Sequence, residues 1–130
     1  MQTQTTKLRD LVGAEGLIVT SCETIQAAAE RMAAIGATAI PVTNCGKVVG
    51  ILTEHDLVHK VVAVGLDPSQ THVIEVMSPN PTIISEDRDL ESAMLVIRVN
   101  RARALVVQDF TGRVLGAVTA CDLLAAGGGR

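Results

Sequence analysis

The stretch Gly46–Leu57, GKVVGILTEHDL, has an echo at Gly112–Leu123, GRVLGAVTACDL, and six of the twelve paired positions are identical. An internal repeat constrains a fold more tightly than any single motif, because each copy must form the same supersecondary unit and bury its apolar face against a neighbour. In each copy a glycine opens a turn into an apolar, β-branched run, and a second glycine lets the backbone pass close to another segment. A threonine then ends the strand at a position suited to cap a helix. The aspartate three residues later, Asp56 or Asp122, falls in the first turn of that helix. Its carboxylate and the threonine hydroxyl are expected to face one small volume beside free backbone N–H groups.

The repeat extends well beyond these twelve residues. Lys7–Val12 reads as a short helical turn leading into the first half, and Ile18–Thr20 as a brief strand. Ile25, Ala28, Ala29, Met32 and Ile35 recur at helical spacing, so Thr24–Ile35 is predicted helical with Gly36 at its end. Ala39–Thr43 and Val48–Leu52 form a hairpin turned at Asn44–Gly46. Glu54–Val64 is a second helix with Leu57, Val61 and Val64 on one face, broken at Gly65–Ser69. Ile74–Met77 then matches Arg9–Val12 at a shift of 65 residues. Thr82–Ile84 repeats the strand, and Leu90, Ala93, Met94 and Ile97 repeat the helical spacing. Ala104–Gln108 and Val114–Val118 repeat the hairpin, and Ala120–Ala126 is the last helix.

The predicted class is therefore α/β: two strand-helix-strand-strand-helix copies related by a pseudo-twofold axis. The first copy spans 7–64 and the second 72–126, with a linker at 65–71, a polar, mobile lead-in at Met1–Thr6 and a disordered tail at 127–130. The two copies are expected to meet at a cleft holding two related sites, one Thr–Asp pair in each. Backbone donors at helix N-termini suit an anion, and a carboxylate suits ribose hydroxyls.

Composition narrows the function classes. With 130 residues the chain is one domain built of two half-domains. Apolar residues make up 48% of it, yet there is one Phe and no Trp or Tyr, so Val, Ile, Leu, Ala and Met must fill the core. A net charge of −3 without a basic block argues against a nucleic-acid partner. No apolar run has the length of a membrane span, and the N-terminus lacks the apolar core of a signal peptide, which makes the cytoplasm the expected compartment. Cys22, Cys45 and Cys121 are odd in number and far apart, as free thiols are, unlike a disulfide framework or a zinc site. No nucleophile–base–orienter set is visible, so an enzyme is not expected.

These residues carry a resemblance to a tandem pair of cystathionine-β-synthase (CBS) domains, a Bateman module. The match rests on Ala39-Ile40-Pro41-Val42 followed by Gly46…Gly50-Ile51-Leu52-Thr53-Glu54-His55-Asp56. It recurs in Ala104-Leu105-Val106-Val107 followed by Gly112…Gly116-Ala117-Val118-Thr119-Ala120-Cys121-Asp122. The likeness runs from about Lys7 to about Ala126 and is to a small stand-alone member, with no enzyme, channel or kinase attached. It implies a regulatory sensor that binds an adenine nucleotide (AMP, ADP or ATP), with NAD or S-adenosylmethionine as alternative adenosyl ligands. A ligand-free dimerisation module is the other reading, since the family includes pairs without a known ligand.

The resemblance also implies which residues would touch the ligand. One site would combine Thr119 and Asp122 with Leu11, Ala37, Thr38 and Ile40. The other would combine Thr53 and Asp56 with Val76, Ala102, Arg103 and Leu105. In each the aspartate would take the ribose hydroxyls and the threonine would lie near the phosphate. Pro41, replaced by Val106 in the second copy, His55, and the lead-in positions Thr6 and Thr71 are further candidates. No cofactor or metal is expected to be required.

Each of these residues also has a plainer role open to it. Thr53 and Thr119 could serve as helix caps alone. Arg103 could be a solvated surface charge or, because guanidinium groups pair bidentately with phosphate, a ligand contact. His55 and His59 are spaced i, i+4, but no third ligand suggests a metal site. A homodimer is expected, because Leu95, Val96 and Val99 lie outside the core stripe of their helix, as do Val58 and Val62 in theirs. A regulated partner protein is left unidentified.

Overall fold

The computed structural model describes residues 7–12 and 18–127. In chain order the elements are α1 (Arg9–Val12), β1 (Val19–Thr20), α2 (Ile25–Ile35), β2 (Ala39–Asn44), β3 (Lys47–Thr53) and α3 (Glu54–Leu57), which continues as a π-helical turn at Val58–Val62. There follow α4 (Val73–Val76), β4 (Ser78–Pro79), β5 (Thr82–Ser85), α5 (Leu90–Asn100), β6 (Ala104–Gln108), β7 (Val114–Thr119) and α6 (Ala120–Gly127). The lead-in at 1–6 and residues 128–130 of the expected tail lie outside the described residues.

Two compact units form, one from residues 18–81 and the other from 7–12 together with 82–127. In the first, the sheet order is β1-β2-β3-β4, with β1–β2 parallel and the other pairs antiparallel. In the second it is β5-β6-β7, with β5–β6 parallel and β6–β7 antiparallel. Both hairpins shift register at the same place in the repeat, between Val42 and Thr43 and between Val107 and Gln108. Helix α2 forms as its pattern predicts. The Thr24 hydroxyl accepts from the Ala27 N–H at 3.1 Å, and Gly36 caps the other end in the left-handed region, at φ 70°. Its buried face, Ile25, Ala28 and Met32, packs with Val19, Ile40, Val42 and Leu52. In the second unit Ala93 and Ile97 of α5 pack with Ile84, Leu105, Val107, Val118 and Leu123.

The short lead-in helices correct the reading of the sequence. Lys7–Val12 was expected to enter the first half, but α1 belongs to the unit of the second repeat. Leu8 N–H donates to the Arg88 carbonyl and Arg9 N–H to the Glu86 carbonyl, each at 3.0 Å. The equivalent bonds 65 residues away join Val73 N–H to the Glu23 carbonyl (2.9 Å) and Ile74 N–H to the Ser21 carbonyl (3.1 Å). Each repeat thus donates its lead-in helix to the other repeat's core, where Leu8 and Val73 are fully buried. The physical reason is vacancy: Val73 and Val76 of α4 already fill the slot in the first core that α1 would otherwise take.

Two smaller departures follow from the π-helical turn. Ala63 N–H donates to the Val58 carbonyl and Leu66 N–H to the Val61 carbonyl, both i→i+5 bonds of 2.9 Å. This wider turn keeps Val61 in the core but leaves Val64, expected on the same face, 63% exposed. In α5, Val96 packs against the core of its unit, whereas Leu95 and Val99 are exposed.

Candidate functional site

The two Thr–Asp pairs form the same local structure. Thr53 ends β3 in an extended conformation and caps α3: its hydroxyl accepts from the Asp56 N–H at 3.1 Å, while Asp56 Oδ2 accepts from the Thr53 N–H at 2.9 Å. Thr119 and Asp122 repeat this reciprocal box, with the Thr119 hydroxyl accepting from the Asp122 N–H at 3.2 Å and Asp122 Oδ2 accepting from the Thr119 N–H at 2.8 Å. Each box satisfies donors that a helix start would otherwise leave unpaired.

Their surroundings differ sharply. Asp56 is 1% exposed. Its Oδ2 accepts the Thr53 hydroxyl at 3.0 Å as well as the N–H, and its Oδ1 accepts from Lys60 Nζ at 2.9 Å and from Ser78 Oγ at 3.1 Å. Burial alone would raise the Asp56 carboxyl, but the Lys60 ammonium and the Thr53 donors outweigh it and hold the group below the usual carboxylate range. Asp122 is exposed, and it lines a cavity of about 380 Å³ together with Leu11, Ala117, Val118, Ala125 and Ala126. That volume lies within the range of small-molecule sites. Another cavity, in the first unit and about 270 Å³, is lined by Ala29, Met32, Ala33, Gly36, Ala37, Glu54 and Leu57.

The remaining candidates fall into three groups. Ile40, Pro41, Leu105 and Val76 are buried, with Ile40 and Leu105 fully so, which leaves their backbone groups as the means of meeting a ligand. Thr71 is also buried, and its hydroxyl donates to the Asp67 carbonyl at 2.8 Å. Ala37 and Ala102 are half-buried, while Thr38 and Arg103 are exposed; the Thr38 carbonyl accepts from Glu54 N–H at 3.0 Å. Ala37, Thr38, Ile40, Pro41, Thr53, His55, Asp56, Thr71 and Val76 lie in the first unit, and Leu11, Ala102, Arg103, Leu105, Thr119 and Asp122 in the second. Thr6 lies outside the described residues.

His55 is half-buried, and its ring stacks on that of His59 with centroids 3.9 Å apart. Among the described residues no three His, Cys, Asp or Glu side chains are grouped to hold a metal ion, and no helix is long and apolar enough to cross a membrane. All three cysteines are exposed and unbridged.

Sequence reasoning missed Lys60 and Ser78 as partners of Asp56. Lys60 carried a signal, since Asp–Lys at i, i+4 is a familiar helix pair. Ser78 carried none, because the Ser78–Pro79 strand β4 is too short to show a pattern.

Comparison with known proteins agrees with this architecture. The family profile for the CBS domain matches residues 19–63 and 73–129. The chain is 32% identical over 112 residues to the meiotically up-regulated gene 70 protein of Schizosaccharomyces pombe, covering 86% of this chain and 15% of that protein. It is 32% identical over 116 residues to the CBS domain-containing protein YhcV of Bacillus subtilis, covering 89% of this chain and 81% of that one. Several curated relatives are far longer, and this chain spans 15% to 39% of their length. The crystal structure of a CBS-domain containing protein from Agrobacterium tumefaciens superimposes with a TM-score of 0.77 at 29% identity, over 93% of this chain and 98% of that one. With two matched segments, two equivalent units and a duplicated Thr–Asp box, the chain is a tandem pair of CBS domains and belongs to that family.

Proposed function

We propose that this CBS pair is a non-catalytic regulatory sensor whose ligand is an adenine nucleotide, bound through the Thr–Asp boxes. The observation that carries the reading is the open box in the second unit, where the exposed Asp122 carboxylate borders a cavity of about 380 Å³ with apolar walls. A carboxylate beside an apolar recess offers an acceptor for ribose hydroxyls and a surface for a base. Family membership supports the same ligand class.

A calorimetric screen of AMP, ADP, ATP, NAD and S-adenosylmethionine tests it. An adenine nucleotide is expected to bind and to raise thermal stability, by about 2.7 kcal/mol at a hundredfold excess over Kd. AMP binding is expected to survive a chelator, because each box supplies one carboxylate and magnesium prefers carboxylates with several waters. Silence across the whole screen would favour the ligand-free interaction module instead.

The pair is proposed to act as a homodimer. Leu95 and Val99, one turn apart on α5, and Val58 and Val62, one turn apart on the π-helical turn, are 53% to 74% exposed, which gives each element an apolar face for a partner to cover. Light scattering at micromolar concentration is expected to give the mass of two chains, and the Leu95→Glu, Val99→Glu double variant the mass of one. Val96, expected from the sequence at the contact, is better left alone, since it packs against the core and its replacement would disturb folding. A parent protein that ran as a monomer would refute the dimer.

A further inference from the structure

The two copies of the repeat differ in residues that bear directly on their aspartates. Lys60 stands four residues after Asp56, whereas Ala126 stands four residues after Asp122. Lys60 lies within the π-helical turn, and its ammonium is held from two sides: 2.9 Å from Asp56 Oδ1 and 3.2 Å from the Val76 carbonyl, to which it donates. With Ser78 Oγ at 3.1 Å on the same oxygen, and the Thr53 N–H and hydroxyl on the other, the Asp56 carboxylate accepts from four groups of its own unit. A carboxylate has about four acceptor positions, so none is left for a ligand.

We infer that Lys60 and Ser78 close Asp56 to ligand, leaving Asp122 as the one ribose acceptor in each chain. The inference rests on the nucleotide reading and narrows it from two boxes to one. A ribose arriving at Asp56 would have to displace an ammonium, and a bond to a charged donor is about twice as strong as one to a neutral hydroxyl. It would also have to reach a carboxylate that is 1% exposed. Among the described residues neither obstacle is found at Asp122: its carboxylate is exposed, and Ala126 carries no charge to compete. Lys60 is thus a positioning residue that makes the pair of boxes functionally unequal.

The test uses AMP, which carries both ribose and phosphate, on the parent chain and on Asp122→Asn. Calorimetry is expected to give one AMP per chain, with affinity at least tenfold weaker in Asp122→Asn. In protein labelled with 13C at the aspartate carboxyls, AMP should move the Asp122 resonance and leave that of Asp56 in place. A separate arm needs no ligand: urea unfolding of Asp56→Asn, Lys60→Met and the double variant should show coupling of about fivefold or more in the unfolding constant. Two AMP per chain, undiminished binding by Asp122→Asn, or an AMP-induced shift at Asp56 would overturn the inference, and so would additive unfolding effects. Should neither AMP nor ADP nor ATP bind while the coupling is present, the nucleotide reading falls and the closure of Asp56 stands. The stoichiometry and carboxyl arms require only the parent and Asp122→Asn, so they do not depend on the Asp56 variants folding.

Discussion

Asp56→Ala is expected to lower the stability of the chain by about 3 kcal/mol, and Asp122→Ala by about 1 kcal/mol or less. The two aspartates occupy equivalent places in the repeat, so the difference comes entirely from what surrounds them. Removing the Asp56 carboxylate takes away the acceptor for a backbone N–H, two hydroxyls and an ammonium in a buried setting. Breaking a fully buried pair costs about 3–5 kcal/mol, but Lys60 is 43% exposed and recovers water, which places the loss at the lower end. At Asp122 the lost bond is an exposed one to the Thr119 N–H, which water replaces.

The same carboxylate makes stability depend on pH in a defined direction. Because Asp56 titrates lower in the folded protein than in the unfolded chain, its contribution is complete above the unfolded value of about 4. It is lost as pH falls through the lower folded value. Urea midpoints of the parent and of Asp56→Asn should therefore stay well apart between pH 6 and 8 and converge as the solution is acidified below about pH 4. A gap that stayed constant down to acid pH would mean that the charge on Asp56 contributes nothing.

Gly50→Ala is expected to cost about 2–3 kcal/mol, read as a fall in the urea midpoint. A Cβ at this position would stand 2.6 Å from Met77 Sδ and 2.7 Å from the Ser78 carbonyl oxygen. The methionine can swing aside, but the Ser78 carbonyl is backbone, and β4 pairs with β3 at Gly50↔Pro79 and Ile51↔Ser78. The added methyl must therefore push β4 away, and with it the Ser78 hydroxyl that serves Asp56. Gly46→Ala is the control. Its Cβ would meet nothing within 4 Å, so only the strain of φ +81° counts, about 1–2 kcal/mol. Equal losses at the two positions would show that close approach is not what requires glycine at Gly50.

Much of this protein follows from its repeat. Both hairpins, both long helices and both Thr–Asp boxes are made by hydrogen bonds and turns among residues near in sequence, and their signals are local: Thr24 and Gly36 bracket a helix, and Thr53 and Thr119 stand before their aspartates. The second glycine of each copy announces a close approach, and the approach is there, to Ser78 at Gly50 and to Val12 at Gly116. What approaches could not be read, because it depends on which core has an empty slot. The exchange of α1 and α4 between repeats was decided in that way, by Leu8 and Val73 filling vacancies some eighty and fifty residues along the chain from their partners.

The inequality of the two aspartates was half legible. Lys60 is visible as a cation one helical turn after Asp56, whereas Ser78 becomes a partner only when β4 pairs with β3. Read alone, the sequence distinguishes the boxes by their neighbours, with Arg103 as a candidate phosphate contact beside Thr53 and Asp56. Packing adds a second difference: the Asp56 carboxylate is buried and already bonded to Lys60, Ser78 and Thr53, whereas that of Asp122 is exposed. Residue identity set the groups that can bind; only packing determined which of them are already bound to the protein itself.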